Sequence, residues 1–350
     1  MQQPDISPIL PPLHIDYQYM QNAKIARVLS KTTYEIAAEE RTKFNIPVAP
    51  EVINFVDLWL DENVELSSYN ISQFDMAVMD SIYTISKSGY QIFPIEWIIK
   101  ILSGNENSKI TEKQIKSVRD SIRKLRAIKI TINCEAELFY RNILNDKSKK
   151  KPKLRDFIYS SAFLSVGEIQ ASYAANGKPV HAYKLLEMPP LYTYAEAIRQ
   201  IISISPDFFH TQEKFSDSTD AILIKRYVIR RIAQILNQNN SLYSRKISYL
   251  WYDNKSPDEP ERGLFPELGY DPTGDRIVDE NGQPLSDEEK LAYAEHFRKK
   301  VKPKIKKIVE GTLETLVEND IISGFSPYKE NGSKKNSVGI AGYEIICKED

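Results

Sequence analysis

From Phe74 onward, Met76, Met79, Ile82, Tyr83 and Ile85 recur at helical spacing, and the stripe stops at Gly89. Gln91, Ile92 and Phe93 read as a short extended piece. Pro94 stands where the first turn of a second helix tolerates it, ahead of Ile95, Ile98, Ile99 and Leu102. Thr111 and Gln114 have the spacing of a capping box, which predicts a third helix burying Ile115, Val118, Ile122 and Leu125. Directly after it, Ile128, Ile130 and Ile132 alternate with Lys129 and Thr131, the period of a half-buried strand. A short helix at 135–142, an extended stretch at 157–173, a turn at Asn176-Gly177 and a strand at 180–186 follow.

The same grammar recurs further on. A helix from Ser218 buries Ile222, Tyr227, Val228, Ile232, Ile235 and Leu236, and a short helix carries Ile247, Leu250 and Trp251. Ser286 and Glu289 make a second capping box at the start of a helix running to about Lys300. Pro303 opens a further helix that buries Ile305, Ile308, Val309, Leu313 and Leu316, before a hairpin of 321–325 and 338–347 around Gly332. The segment 117–132, SVRDSIRKLRAIKITI, aligns with 308–323, IVEGTLETLVENDIIS, in its passage from helix to strand.

Three helices with a short strand after the first and a strand after the third is the order of a winged helix-turn-helix. The expected fold class is therefore α+β and mainly helical, with two winged-helix domains in tandem. Residues 1–62 are expected to be a proline-bearing arm and a helical preface, with Ile25, Val28 and Leu29 on one stripe and Val52, Phe55, Val56 and Trp59 on another. Residues 63–188 are expected to be the first domain with a long wing. Residues 189–350 would hold a connector helix at 191–202, the second domain, and an acidic surface insertion at about 253–285.

Composition changes this picture in two ways. The chain's 350 residues and 41% hydrophobic content allow two cores of ordinary domain size. No stretch approaches the ~18–20 unbroken apolar residues of a membrane span, and no basic-then-apolar leader opens the chain, so a cytoplasmic protein with no membrane partner is expected. Cys134 and Cys347 are too few for a disulfide framework and fit a reducing compartment. The net charge of -1 hides segregation: acids crowd 253–289, and bases crowd 147–155 and 299–307.

Catalysis finds little support. His14, His181, His210 and His296 are scattered and form no metal-ligand spacing, no phosphate loop is present, and neither cysteine has a nearby histidine. The expectation is a non-enzyme without cofactor or metal. The positive chemistry is basic. The face of 111–126 opposite its apolar stripe carries Lys113, Lys116, Ser117, Asp120 and Lys124, flanked by Arg119 and Arg123. Such side chains suit phosphates and base edges, although a solvated helix face would look alike. In the second half, Lys300, Lys304, Lys307 and Gly311 share the corresponding face, with six lysines between Lys299 and Lys307 crowding the expected helix N-terminus against its dipole. Lys149, Lys150, Lys151, Lys153 and Arg155 form a basic loop that could grip phosphate or merely be solvated. Lys334 and Lys335 would sit on the second wing tip, where lysines also protect strand edges.

FDMAVMDSIYTI leading to KQIKSVRDSIRKLRAIKITI, and DAILIKRYVIRRIAQIL leading to the lysine-rich helix and final hairpin, resemble the paired arrangement of plasmid-type replication initiators with tandem winged-helix domains. The resemblance spans about 74–348 and consists of element order and hydrophobic spacing. It implies double-stranded DNA as partner, binding of origin repeats in a plasmid, phage or integrative element, a dimer-to-monomer switch, and host replication proteins as further partners. A transcription or partition regulator would use the same surface, and a winged-helix scaffold would turn the basic faces toward acidic proteins.

Overall fold

The computed structural model describes residues 16–20, 24–30, 36–37, 41–61, 68–104, 110–141, 158–172, 179–208, 218–237, 245–250, 263–275, 277–279, 283–329 and 340–348. The fold is α+β and divides into two compact units, Met1–Pro206 and Asp207–Asp350. Among the described residues, no helix is long and apolar enough to cross a membrane. The proline-bearing arm at 1–15 lies outside them.

The first unit runs β1 (Tyr17–Met20), α1 (Lys24–Leu29), β2 (Ile36–Ala37), β3 (Thr42–Ala49), β4 (Val52–Leu60), β5 (Ser68–Tyr69), α2 (Gln73–Lys87), β6 (Ile92–Pro94), α3 (Ile95–Ser103) and α4 (Glu112–Ala127). It continues with β7 (Ile128–Asn133), α5 (Glu135–Tyr140), β8 (Ile158–Ala162), β9 (Val166–Ser172), β10 (Pro179–Leu185), α6 (Pro190–Ala197) and β11 (Ile201–Ile204). Three helices, α2 to α4, and a three-stranded sheet in the order β6-β10-β9 make its centre. The capping box expected at Thr111 and Gln114 starts α4, and a further one at Ser72 and Asp75 starts α2.

The stretch expected to be a helical preface is helical only at α1; β3 and β4 form a hairpin in a second sheet, ordered β3-β4-β7-β8. Its inner face is built by direct pairs of buried residues, Val56 with Ile132, Leu58 with Ile130 and Leu60 with Ile128. The strand after α4 therefore belongs to this sheet, and the hairpin that pairs with β6 is β9–β10. Pro47 is tolerated because β3 is an edge strand. The helical reading failed at Asn54, a polar residue that is fully buried and breaks the visible alternation. Asn54 Nδ2 donates to Glu137 Oε2 at 2.6 Å, and the Tyr194 hydroxyl donates to the same oxygen at 2.6 Å. Arg141 closes the network on Glu137 Oε1 at 2.7 Å. α6 ends at Ala197, four residues before β11, so the connector expected as one helix at 191–202 is a helix followed by a strand, and both fall within the first unit.

A 3-10 turn at Pro206–Phe208 precedes the second unit's main elements. These are α7 (Thr219–Asn237), β12 (Lys246–Ser248), α8 (Leu264–Glu267), α9 (Asp287–His296), a π-turn (Phe297–Val301), α10 (Lys302–Glu318), β13 (Gly324–Tyr328) and β14 (Gly342–Ile346). The segment expected as a short helix around Ile247 is instead β12, and the sheet order is β12-β14-β13. Gly342 is required there, since a Cβ at this position would meet the Ile247 carbonyl oxygen at 2.1 Å. Part of the expected surface insertion is core: Leu264 and Phe265 are buried, and Phe265 packs on Tyr249 at 5.0 Å and edge-on to Phe297 at 5.2 Å. Both cysteines are free thiols, Cys134 buried and Cys347 partly so.

The core tyrosines of this unit make its stability sensitive to alkali. Burial pushes the phenols of Tyr249 and Tyr343 up, and burial with the nearby Asp220 carboxylate raises Tyr270 from 10.0 to about 12. Above pH ~10 the unfolded chain releases these protons while the folded unit retains them, so stability falls as pH rises from 10 toward 12. Circular dichroism and tyrosinate absorbance, followed together, should change in one transition. Ionisation of these tyrosines near pH ~10 with the fold intact would refute the coupling.

Candidate nucleic-acid interface

In α4 the apolar stripe faces α2 and α3, and the opposite side is basic. Lys113, Lys116, Arg119 and Arg123 are exposed. At 100° per residue they fall within an arc of about 120°, along roughly 15 Å of helix. Lys113, Lys116 and Arg123 make no ion pair among the described residues. Ser117 is half-buried and its hydroxyl donates to the Lys113 carbonyl at 2.9 Å, so it is partly engaged with its own helix. The Arg119 guanidinium lies close enough to the phenol of Tyr183 on β10 to act on it electrostatically. Burial and the Glu168 carboxylate push that phenol up, and Arg119 and Arg126 act against them.

Lys124 has a different job. It is mostly buried and its ammonium pairs with Asp75, which is itself 2% exposed. Asp75 also accepts from the Ser121 hydroxyl at 2.6 Å and from the Ser72 amide at 2.7 Å. The carboxylate thus caps α2 and anchors α4 through two side chains one turn apart. Lys124 is removed from the expected contact face for this reason.

In the second unit the expected break before Pro303 is absent. α9, the π-turn and α10 follow one another without interruption from Asp287 to Glu318. The Lys302 amide donates to the Phe297 carbonyl, five residues back, and this widened turn accommodates the proline that follows. The lysines consequently lie mid-helix. The helix N-terminus carries Asp287, Glu288 and Glu289 inside the Ser286 capping box, a favourable arrangement for its dipole. Lys300, Lys304 and Lys307 are exposed and make no ion pair among the described residues. Gly311, expected on the same face, is buried. Arg298 is exposed beside them and was missed by sequence reasoning, although it stands in the same run, FRKK. Lys299 pairs with Glu295 at 2.5 Å and Lys306 with Glu310 at 3.6 Å.

The two units repeat one construction. In each sheet the strand that closes the hairpin lies in the middle, and a buried tyrosine on it faces a buried apolar residue of the first strand: Tyr183 opposite Phe93, and Tyr343 opposite Ile247. Each tyrosine stands near the long helix of its own unit, Tyr183 within electrostatic reach of Arg119 and Tyr343 at Glu310, to which its hydroxyl donates at 2.7 Å. Arg119 and Glu310 are also the positions that coincide in the alignment of 117–132 with 308–323.

Lys149, Lys150, Lys151, Lys153 and Arg155, and Lys334 and Lys335 at the other hairpin, lie outside the described residues. Neither a family model nor a curated protein matches the chain. Among solved structures, a crystal structure of RctB domains 2-3 is similar with a TM-score of 0.32 and 14% identity, covering 62% of this chain and 71% of that one. A structure of selenomethionine derivatives of domain 2 and domain 3 of RctB is similar with a TM-score of 0.31 and 13% identity, over 60% and 71%. Likeness at that level leaves the chemistry to this chain's own residues.

Proposed function

We propose that the chain binds double-stranded DNA sequence-specifically through two winged-helix units and serves as a replication initiator at repeats in the origin of a plasmid, phage or integrative element. The observation that carries DNA binding is the presence, in both units, of exposed cations that make no ion pair among the described residues, on a long helix upstream of the hairpin: Lys113, Lys116 and Arg123 in one, Arg298, Lys300, Lys304 and Lys307 in the other. A cation left unpaired on a rigid helix suits a phosphate or a guanine edge. The winged-helix assignment is supported by the strand order shared by the sheets β6-β10-β9 and β12-β14-β13, with a helix ahead of each hairpin. The replicative role rests on the resemblance of the paired sequence stretches. In this reading the protein works in the cytoplasm, contributes no catalytic step of its own and needs no cofactor; a dimer and host replication proteins are its further partners.

The test is binding of the purified chain to the DNA upstream of its own gene and to a shuffled duplex, across a salt series. Tight binding that discriminates the two and weakens steeply with salt is expected. Equal, weak retention of both duplexes would sink sequence-specific binding. A bound site in a promoter or centromere-like array, with no origin activity in a replication assay, would replace the initiator role with a regulatory one.

A further inference from the structure

Charge along the uninterrupted helix of the second unit comes in three blocks. Its first turn carries Asp287, Glu288 and Glu289. Its middle carries the exposed cations Arg298, Lys300, Lys304 and Lys307, and its last turns carry Glu310, Glu314 and Glu318. The one cation near the start, Lys290, lies 3.8 Å from Asp275 and 4.0 Å from Asp287. α9 contributes no fully buried residue; Tyr293 packs half-buried against the core, and seven of its ten positions are exposed. These exposed cations span ten residues, nine rises of ~1.5 Å or roughly 13 Å, close to the ~12 Å width of a major groove.

Building on the DNA-binding reading, we infer that this helix meets the duplex side-on, by the π-turn and the first turns of α10, with its acidic start held clear of the phosphates. The first unit's α4, whose cations begin in its first turn and run on to Arg123, meets it with its N-terminal end leading. A straight rod touches the curved floor of a groove over only a few turns, and both of its ends lift away. The block of cations has that length, and acids occupy the stretches on either side. An end-on approach would instead lead with three carboxylates into the phosphate field, where like charges repel. In α4 the order is reversed: Lys113 and Lys116 fall in its first two turns, with Glu112 the one acid ahead of them. The two units thus carry the same construction but offer different parts of the helix to DNA.

Single cysteines bearing a tethered iron chelate would test this in the full-length chain with Cys347→Ser, leaving the buried Cys134 in place. The probe is a short duplex that the wild-type chain enriches from a random-sequence pool. Strand scission is expected from chelates at Glu112→Cys and Lys299→Cys, and near-background scission from Glu288→Cys. In parallel, the triple variant Asp287→Asn, Glu288→Gln, Glu289→Gln keeps an amide in the capping box and should bind within about twofold of wild type. Scission from position 288 as strong as that from 299, or a gain of about tenfold in affinity for the triple variant, would overturn the side-on pose while leaving DNA binding intact. Failure of the wild-type chain to enrich any duplex would overturn the functional reading, and the pose with it.

Discussion

Replacing Asp75 by Ala is expected to destabilise the first unit by about 3 kcal/mol, a substantial fraction of a typical domain's margin of roughly 5–15 kcal/mol. The carboxylate is buried, accepts from Ser72 and Ser121, and pairs with Lys124. Its removal deletes a helix cap, leaves the Ser121 hydroxyl without its acceptor, and strands an ammonium that is only 20% exposed. Urea unfolding of the full chain should resolve the loss in the transition assigned to the first unit, with the second unchanged. Asp75→Asn should cost less than Ala, because its Oδ1 can still accept from Ser121, although its amide nitrogen cannot accept from Ser72 or pair with Lys124. If Asp75→Ala and wild type unfold at the same urea concentration, the carboxylate does not anchor α4. Lys124→Ala is expected to reduce stability in the same transition.

The second large effect falls on binding. The double variant Lys304→Glu, Lys307→Glu should weaken duplex affinity roughly 100-fold at moderate salt and flatten the dependence of log affinity on log salt by about 2. Both side chains are exposed and make no ion pair among the described residues, so the melting temperature should stay near that of wild type. Titrations at several salt concentrations separate the possibilities. An unchanged slope and affinity would remove α10 from the interface, and loss of affinity accompanied by unfolding would reassign these lysines to stability.

Much of this was legible in the chain itself, for physical reasons that differ from element to element. Capping boxes are local chemistry, and those at Thr111 and Ser286 both start helices. Ile128, Ile130 and Ile132 alternate because one face of their strand is buried, and that much is visible within six residues. The sequence does not show which strand becomes the partner. The pairing of β7 with β4 depends on residues some seventy positions away. It is further disguised because Asn54 faces inward, its amide nitrogen donating to Glu137 and Tyr194 from distant elements. Lys124 misled for the same reason. Its place on the helix suggested a solvent-facing base, and only the packing of α2 against α4 brings Asp75 to it. Pro303 was read as opening a helix because an α-helix tolerates proline best there. The shift of one hydrogen bond to a five-residue span allowed the helix to continue through it.

That widened turn has a consequence for how the helix could vary over generations. A π-turn contains one residue more than the α-helical turn it replaces. Deleting a single codon within it would return the backbone to regular spacing, rotating everything upstream by about 100° and drawing it in by about 1.5 Å. The core side chains Ile305, Ile308, Val309, Leu313 and Leu316 lie downstream and would keep their places. α9 contributes no fully buried residue, so a change of its heading would cost mainly the packing of Tyr293 and the fit of Phe297 against Phe265. Insertions and deletions between Phe297 and Val301 are therefore a route by which related chains could re-aim this acidic helix at the cost of repacking Phe297 and Tyr293, with the downstream core kept in place.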